Sequence, residues 1–172
     1  MRSFALVCLS LGAWLFSVPA WSGRTLTEAQ EKVLQSWLAR HANYRVAVDA
    51  DCECSDEINE TKAGTDGWPP VPDYRPYIAT GDFNSDGTVD FAVVLIDRSK
   101  RDRNFSLAVF NGPYQGRVQS PAFLKSGLSL RHGGLFFGPP RPKPYRLVIG
   151  NFNAGGVVLM PHRNTYRLDD GD

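Results

Sequence analysis

The chain has 172 residues, with 19 basic and 18 acidic side chains. This length fits one domain. Arg2 is the one charged residue among residues 1–20. Residues 21–172 therefore have 18 basic and 18 acidic side chains and a formal net charge of zero. A nucleic-acid-binding protein would normally carry a basic excess, and we therefore expect no nucleic-acid partner.

Residues 1–20 have the pattern of a secretory signal peptide. Arg2 supplies the positive start, and residues 4–16 form the apolar core. Val18-Pro19-Ala20 matches the small-x-small cleavage rule, and Ala20-Trp21-Ser22 is an alternative site. The apolar run is too short to span a membrane. We expect an exported protein, periplasmic or secreted, with no membrane insertion after the signal is cleaved.

One strong helical pattern follows, from Thr27 to Ala42. Thr27 and Gln30 have the spacing of a capping box at its start. The apolar residues that recur at helical spacing are Leu26, Ala29, Val33, Trp37 and Leu38. This stripe predicts a helix that packs on a sheet.

Two cysteines remain after residue 20, namely Cys52 and Cys54. In an oxidising compartment two cysteines tend to pair. A Cys-x-Cys bridge closes a very small ring, and strained, exposed disulfides are easily reduced. We predict a local disulfide between Cys52 and Cys54, with a thiol-redox role as the alternative.

The next segment is rich in proline and carries Trp68, Tyr74 and Tyr77. Each proline removes a backbone donor, so the segment cannot hold regular structure. Exposed aromatic side chains on such a frame would bind a sugar or a peptide. The alternative is that the loop places its aromatic side chains over the core.

The most informative stretch runs from Asp82 to Asp90. Oxygen-bearing residues alternate along it, as expected of a loop that surrounds a hard cation such as calcium. The predicted ligands are the side chains of Asp82, Asn84, Asp86 and Asp90 and the backbone carbonyl of Thr88. Gly87 lacks a Cβ and tolerates the positive φ that the turn needs.

An EF-hand and a polar turn are the two other interpretations of this stretch. An EF-hand has a glutamate at position twelve, and that position is Val93. The flanking residues are those of strands rather than helices. A polar turn without a metal is the other alternative, because Asp, Asn and Gly are common turn residues.

The sequence Gly81-Asp82-Phe83-Asn84, followed by Asp86-Gly87 and Asp90, resembles the calcium-binding hairpin of FG-GAP and VCBS-type repeats. The resemblance covers about twenty residues and implies one calcium-binding hairpin over residues 77–96. Residues 144–156 repeat the pattern without its carboxylates, as Gly150-Asn151-Phe152-Asn153. We interpret them as a second hairpin without a metal.

The other segments read mainly as short strands joined by turns. We predict a single α+β domain over residues 21–172, with an antiparallel sheet that carries the N-terminal helix on one face. The basic run from Arg98 to Arg103 is interpreted as a solvated turn between two strands.

No hydrolase, nucleotide or dinucleotide motif is present. A hydrolase site could still be assembled from residues distant in sequence. Asp97, Ser99 and His132 could be proposed for it, but nothing local supports that choice. We predict a small binding protein with one structural Ca²⁺ site. Its partner would be a protein or a cell-envelope component, and the alternative is a calcium-dependent hydrolase acting on envelope polymers.

Overall fold

The computed structural model describes residues 25–65, 69–114, 118–138 and 143–169. The predicted signal peptide and Trp68 therefore lie outside the described residues. The helices are α1 (Glu28–Leu38) and α2 (Ser55–Ala63), with a short 3-10 turn at Asp49–Asp51 between them. No helix among these residues is long and apolar enough to cross a membrane.

The described strands form two antiparallel sheets. The first contains β1 (Tyr44–Val46), β2 (Ile78–Gly81), β3 (Asp90–Asp97), β4 (Phe105–Phe110) and β5 (Phe123–Leu128). The second contains β6 (Gly133–Phe136), β7 (Leu147–Asn151), β8 (Gly156–His162) and β9 (Thr165–Asp169). Strands β2 to β5 form an antiparallel meander in the first sheet, and strands β6 to β9 form one in the second. Strand β1 joins the first sheet by pairing with β3.

The predicted α+β class is wrong, because the described chain is mainly β-structure, with two sheets and about 17% helix. The physical reason is visible in β3, whose eight residues are all buried. A strand buried throughout its length has both of its faces covered. One sheet with a single helix would cover only one face.

The two faces of the first sheet pack against different partners. Phe91, Val93 and Leu95 join Val33 and Trp37 of α1 in one buried cluster. The alternate residues of β3, Ala92, Val94 and Ile96, join a second cluster that includes buried residues of the second sheet, namely Leu135, Leu147, Ile149, Leu159 and Tyr166. This period of two follows from side chains that point to opposite faces of a strand.

The start of α1 has the capping box that the sequence predicts. The Thr27 hydroxyl accepts from the Gln30 N–H at 3.3 Å, and the Gln30 side chain accepts from the Thr27 N–H at 2.9 Å. The helix ends at Leu38 rather than at the predicted Ala42. The three N–H groups that follow bond to carbonyls of the last turn, and the chain enters β1.

Candidate functional site

The predicted calcium loop joins two strands, as its flanking residues indicated. Strand β2 pairs with β3 in a register that sets Gly81 opposite Asp90. Residues 82–89 therefore close the hairpin, and we call residues 82–90 the acidic loop. Gly87 has φ of +86° and Ser85 has φ of +64°. The predicted positive φ at Gly87 is confirmed, and side chains with a Cβ rarely adopt this conformation.

Side-chain oxygens of the acidic loop accept hydrogen bonds from its own backbone. The Asp82 carboxylate accepts from the N–H groups of Asp86 at 3.0 Å and of Gly87 at 2.9 Å. Asp86 accepts from the Thr88 N–H at 2.8 Å and from the Asn84 side chain at 2.9 Å. These bonds hold the pKa of Asp86 below its ordinary value, because they stabilise the ionised form.

Asp90 occupies a different environment, at the base of the acidic loop. Its side chain is fully buried and both of its oxygens have protein donors. Oδ1 accepts from the Gly112 N–H at 3.0 Å, and Oδ2 accepts from the Phe83 N–H at 3.0 Å and from the Tyr166 hydroxyl at 3.2 Å. Burial raises the pKa of Asp90 despite these three bonds.

Asp90 thereby links three parts of the chain. Phe83 belongs to the acidic loop, Gly112 to the segment after β4, and Tyr166 to β9 of the second sheet. The Tyr166 hydroxyl also lies 2.7 Å from Asn111 Oδ1, so its single proton is shared between this oxygen and Asp90 Oδ2. No sequence pattern predicts this cluster, because the bonded residues are up to 76 positions apart.

Two further contacts tie the acidic loop to the region of the second sheet. The Phe83 ring lies edge-on to the Phe137 ring, with centroids 5.0 Å apart. Arg146, just before β7, donates to the Ser85 hydroxyl at 3.1 Å. Phe137 also lies so close to Gly81 that an added Cβ would be 2.1 Å from its ring. Glycine at position 81 is therefore required by this close approach as well as by the pattern of the loop.

The donor chemistry of the acidic loop fits calcium. Its polar side chains present oxygen atoms, and an ionised carboxylate can accept about four hydrogen bonds or metal contacts, so the backbone bonds do not exhaust Asp82 and Asp86. In the structure, the carboxylates of Asp82 and Asp86 accept hydrogen bonds from backbone N–H groups and from the Asn84 side chain. Among the described residues, no group of three or more His, Cys, Asp and Glu side chains is placed to hold a metal ion. The calcium site therefore stays a prediction.

The aromatic residues predicted to contact a ligand lie inside the molecule. Tyr74 and Tyr77 are 0% and 1% exposed, and the Tyr77 hydroxyl donates to the Leu130 carbonyl at 2.8 Å. Tyr74 stacks on Phe136, with ring centroids 5.6 Å apart. The expectation that these two side chains are exposed to a ligand is therefore wrong. Both rings belong to the buried core, as the alternative interpretation proposed.

Cys52 and Cys54 are buried just before α2, with Cα atoms 5.1 Å apart and sulfur atoms adjacent. This separation is within the range that a disulfide allows. The pairing itself stays a prediction. The burial of both residues gives no exposed surface for a redox partner.

Of the three residues proposed for a hydrolase, Asp97 and Ser99 are in contact and His132 has other partners. The Ser99 hydroxyl donates to the Asp97 carboxylate at 2.6 Å, within the turn that follows β3. His132 lies elsewhere, with Nε2 3.4 Å from the carboxylate of Glu53.

Comparison of the chain with protein-family models, with curated proteins and with solved structures gave no match.

Proposed function

We propose that this chain is a small exported binding protein in which the acidic loop holds one structural calcium ion. The observation that carries the proposal is the arrangement of Asp82, Asn84 and Asp86. Their side-chain oxygens gather around a tight turn at the protein surface. Calcium takes six to eight such ligands, and water would complete the shell.

The role assigned to the ion is mechanical. The acidic loop carries three carboxylates within nine residues and no basic side chain. A divalent cation lowers the repulsion among these charges and favours the folded loop. Because Phe83 and Asp90 tie the same loop to the second sheet, an ion at its tip would stabilise the contact between the two sheets.

In this proposal Asp90 supports the loop from inside, while Asp82, Asn84, Asp86 and the Thr88 carbonyl face the ion. The predicted role of Asp90 as the closing ligand competes with its three protein donors. Export rests on the signal-like pattern of residues 1–20. The hydrolase alternative has no described group of residues that favours it.

The test is calorimetric titration of calcium into chelator-treated protein, with thermal unfolding in calcium and in chelator. One binding site is expected, and at a free calcium concentration about a hundred times Kd the folded state gains about 2.7 kcal/mol. Asp86→Ala should abolish most of this gain. Asp102→Ala is the matched control, because it removes an exposed aspartate from another hairpin loop.

Binding of calcium by wild type and by Asp102→Ala, with loss in Asp86→Ala, supports the site. If neither heat nor stabilisation accompanies calcium addition to the wild type, the acidic loop is a polar turn and the structural calcium site is rejected. An equal response of all three proteins would place the ion elsewhere.

A further inference from the structure

The turn at the opposite end of β3 carries the reverse charge. Residues 98–104, which we call the basic tip, contain Arg98, Lys100, Arg101 and Arg103 against a single carboxylate, Asp102. Their net charge is +3, whereas the acidic loop has a net charge of −3. Residues 98–103 are all exposed.

The base of the basic tip is held in one conformation. The Asp97 N–H donates to the Asn104 carbonyl at 2.8 Å and closes the hairpin. The Asp97 carboxylate accepts from the Ser99 N–H at 3.0 Å and from the Asn43 side chain at 3.3 Å. The cations therefore project from a turn whose backbone is already ordered.

Protein carboxylates neutralise little of this positive charge. Lys100 lies 3.5 Å from Asp97, whose carboxylate is otherwise engaged with Ser99 and Asn43. Among the described residues, no ion pair joins Arg98, Arg101 or Arg103 to a carboxylate. Guanidinium groups bind phosphate through two parallel N–H bonds. These three arginines are thus available to an external anion.

We propose that the basic tip is a contact surface for an anionic lipid bilayer, with lipid phosphates as its ligands. A hairpin tip touches a plane at one point, which suits a membrane surface. Residues 98–104 contain no apolar side chain, so the contact is electrostatic and does not insert. The tip also lacks aromatic residues that would stack on the bases of a nucleic acid.

The net neutrality of the chain does not oppose this contact. Strand β3 has eight residues, and at about 3.3 Å per residue the two charged loops are about 25 Å apart. The Debye length at physiological salt is about 8 Å. Repulsion between the acidic loop and the membrane is therefore screened, and the local charge of the tip decides the interaction.

This inference deepens the proposed function by naming an envelope component that the protein would bind. It rests on the expected export, but it is independent of calcium. All binding measurements are made in chelator, so that calcium cannot bridge the acidic loop to lipid. Failure at the basic tip and failure of the calcium site are then separate results.

The experiment is cosedimentation with vesicles of phosphatidylglycerol and phosphatidylcholine in equal parts, and with vesicles of phosphatidylcholine alone. The test variant carries Arg98→Gln, Lys100→Gln, Arg101→Gln and Arg103→Gln. The control variant makes the same change in net charge at other exposed positions, with Lys32→Gln, Lys125→Gln, Arg131→Gln and Arg163→Gln. Melting temperatures of both variants confirm that each is folded.

Wild type should bind the anionic vesicles and not the neutral ones. Because each basic residue near a charged membrane contributes about fivefold in affinity, the test variant, which loses four of them, should bind roughly 600-fold more weakly. Arg101→Gln alone should bind about fivefold more weakly. The control variant should bind like wild type. Raising the salt from about 0.1 M to about 1 M should release the protein, since the Debye length falls from about 10 Å to about 3 Å.

Absence of binding by wild type to anionic vesicles at low salt would overturn the proposal. An equal loss of binding in the test and control variants would also overturn it, because total charge and not the tip would then be responsible. Binding to polyphosphate or duplex DNA without binding to vesicles would assign the tip to a soluble polyanion instead. Loss of vesicle binding in the test variant alone supports the proposal.

Discussion

The two ends of β3 show two ways in which a hairpin turn is used. At one end the acidic loop is built into the fold, through Phe83 against Phe137 and Asp90 bonded to Tyr166. At the other end the basic tip is closed by bonds of the Asp97 carboxylate with Ser99 and with Asn43, and its cations face solvent. The difference indicates that the acidic loop contributes to stability, whereas the basic tip is available for binding.

The largest expected effect comes from Phe83→Ala. Phe83 is fully buried, and truncation of such a residue costs about 3–5 kcal/mol through lost contacts and the cavity left behind. Arg101→Gln in the basic tip is the comparison, and a surface change of this kind is expected to stay within about 0.5 kcal/mol. Urea unfolding measures both. Equal losses would mean that the two loops are tied equally to the fold.

A smaller effect is expected when the Asp90 cluster is altered. Asp90→Asn replaces one acceptor oxygen with an N–H₂ group that faces a donor, and we expect a loss of about 2–3 kcal/mol. Tyr166→Phe removes one donor and should cost about 1 kcal/mol. Both variants are compared with wild type by urea unfolding. A neutral Asp90→Asn would show that the buried carboxylate does not join the sheets.

The smallest effects concern pH and have opposite signs at the two ends of β3. Hydrogen bonds from the Ser99 side chain lower the pKa of Asp97 below 3.8, so its contribution is present above pH 3.8 and is lost as the pH falls through the lowered pKa. Burial raises the pKa of Asp90 above 3.8. In the folded protein the Asp90 carboxyl group therefore retains a proton that it releases in the unfolded protein, and stability falls as the pH rises above 3.8.

Unfolding at pH values on both sides of 3.8 tests these signs. The stability of wild type relative to Asp97→Asn should increase as the pH rises toward 3.8. The stability of wild type relative to Asp90→Asn should decrease as the pH rises above that value. If the relative stability changed with pH in the same direction for both aspartates, the two ends of β3 would not differ in environment as described.

A second comparison concerns the two hairpins with the sequence Gly-(Asp/Asn)-Phe-Asn. In the acidic loop the carboxylates of Asp82 and Asp86 accept the backbone N–H groups. In the turn between β7 and β8 the chain passes from Gly150 to Gly156 in a shorter connection, and these two glycines are paired across the strands. The predicted similarity between residues 76–87 and residues 144–156 is thus a similarity of strand and turn and not of side-chain bonding.

Much of the local structure was predictable because its causes lie within a few residues. The capping box of α1, the strands on either side of the acidic loop and the positive φ of Gly87 each follow from side chains close in sequence. The same reasoning predicted that Asp82, Asn84 and Asp86 are oxygen ligands of calcium, and that role stays a prediction. It also placed the basic residues 98–103 in a turn between two strands.

The sequence by itself therefore determined the helix start, most of the strands and the charge of the two loops. Only the tertiary structure decided that the strands divide into two sheets, that Tyr74 and Tyr77 are buried, and that Asp90 bonds to Tyr166. The physical reason is that alternation along a strand shows which residues share a face but not which distant element covers it. Burial of both faces of β3 depends on α1 and on the second sheet, and both are brought to it by long-range packing.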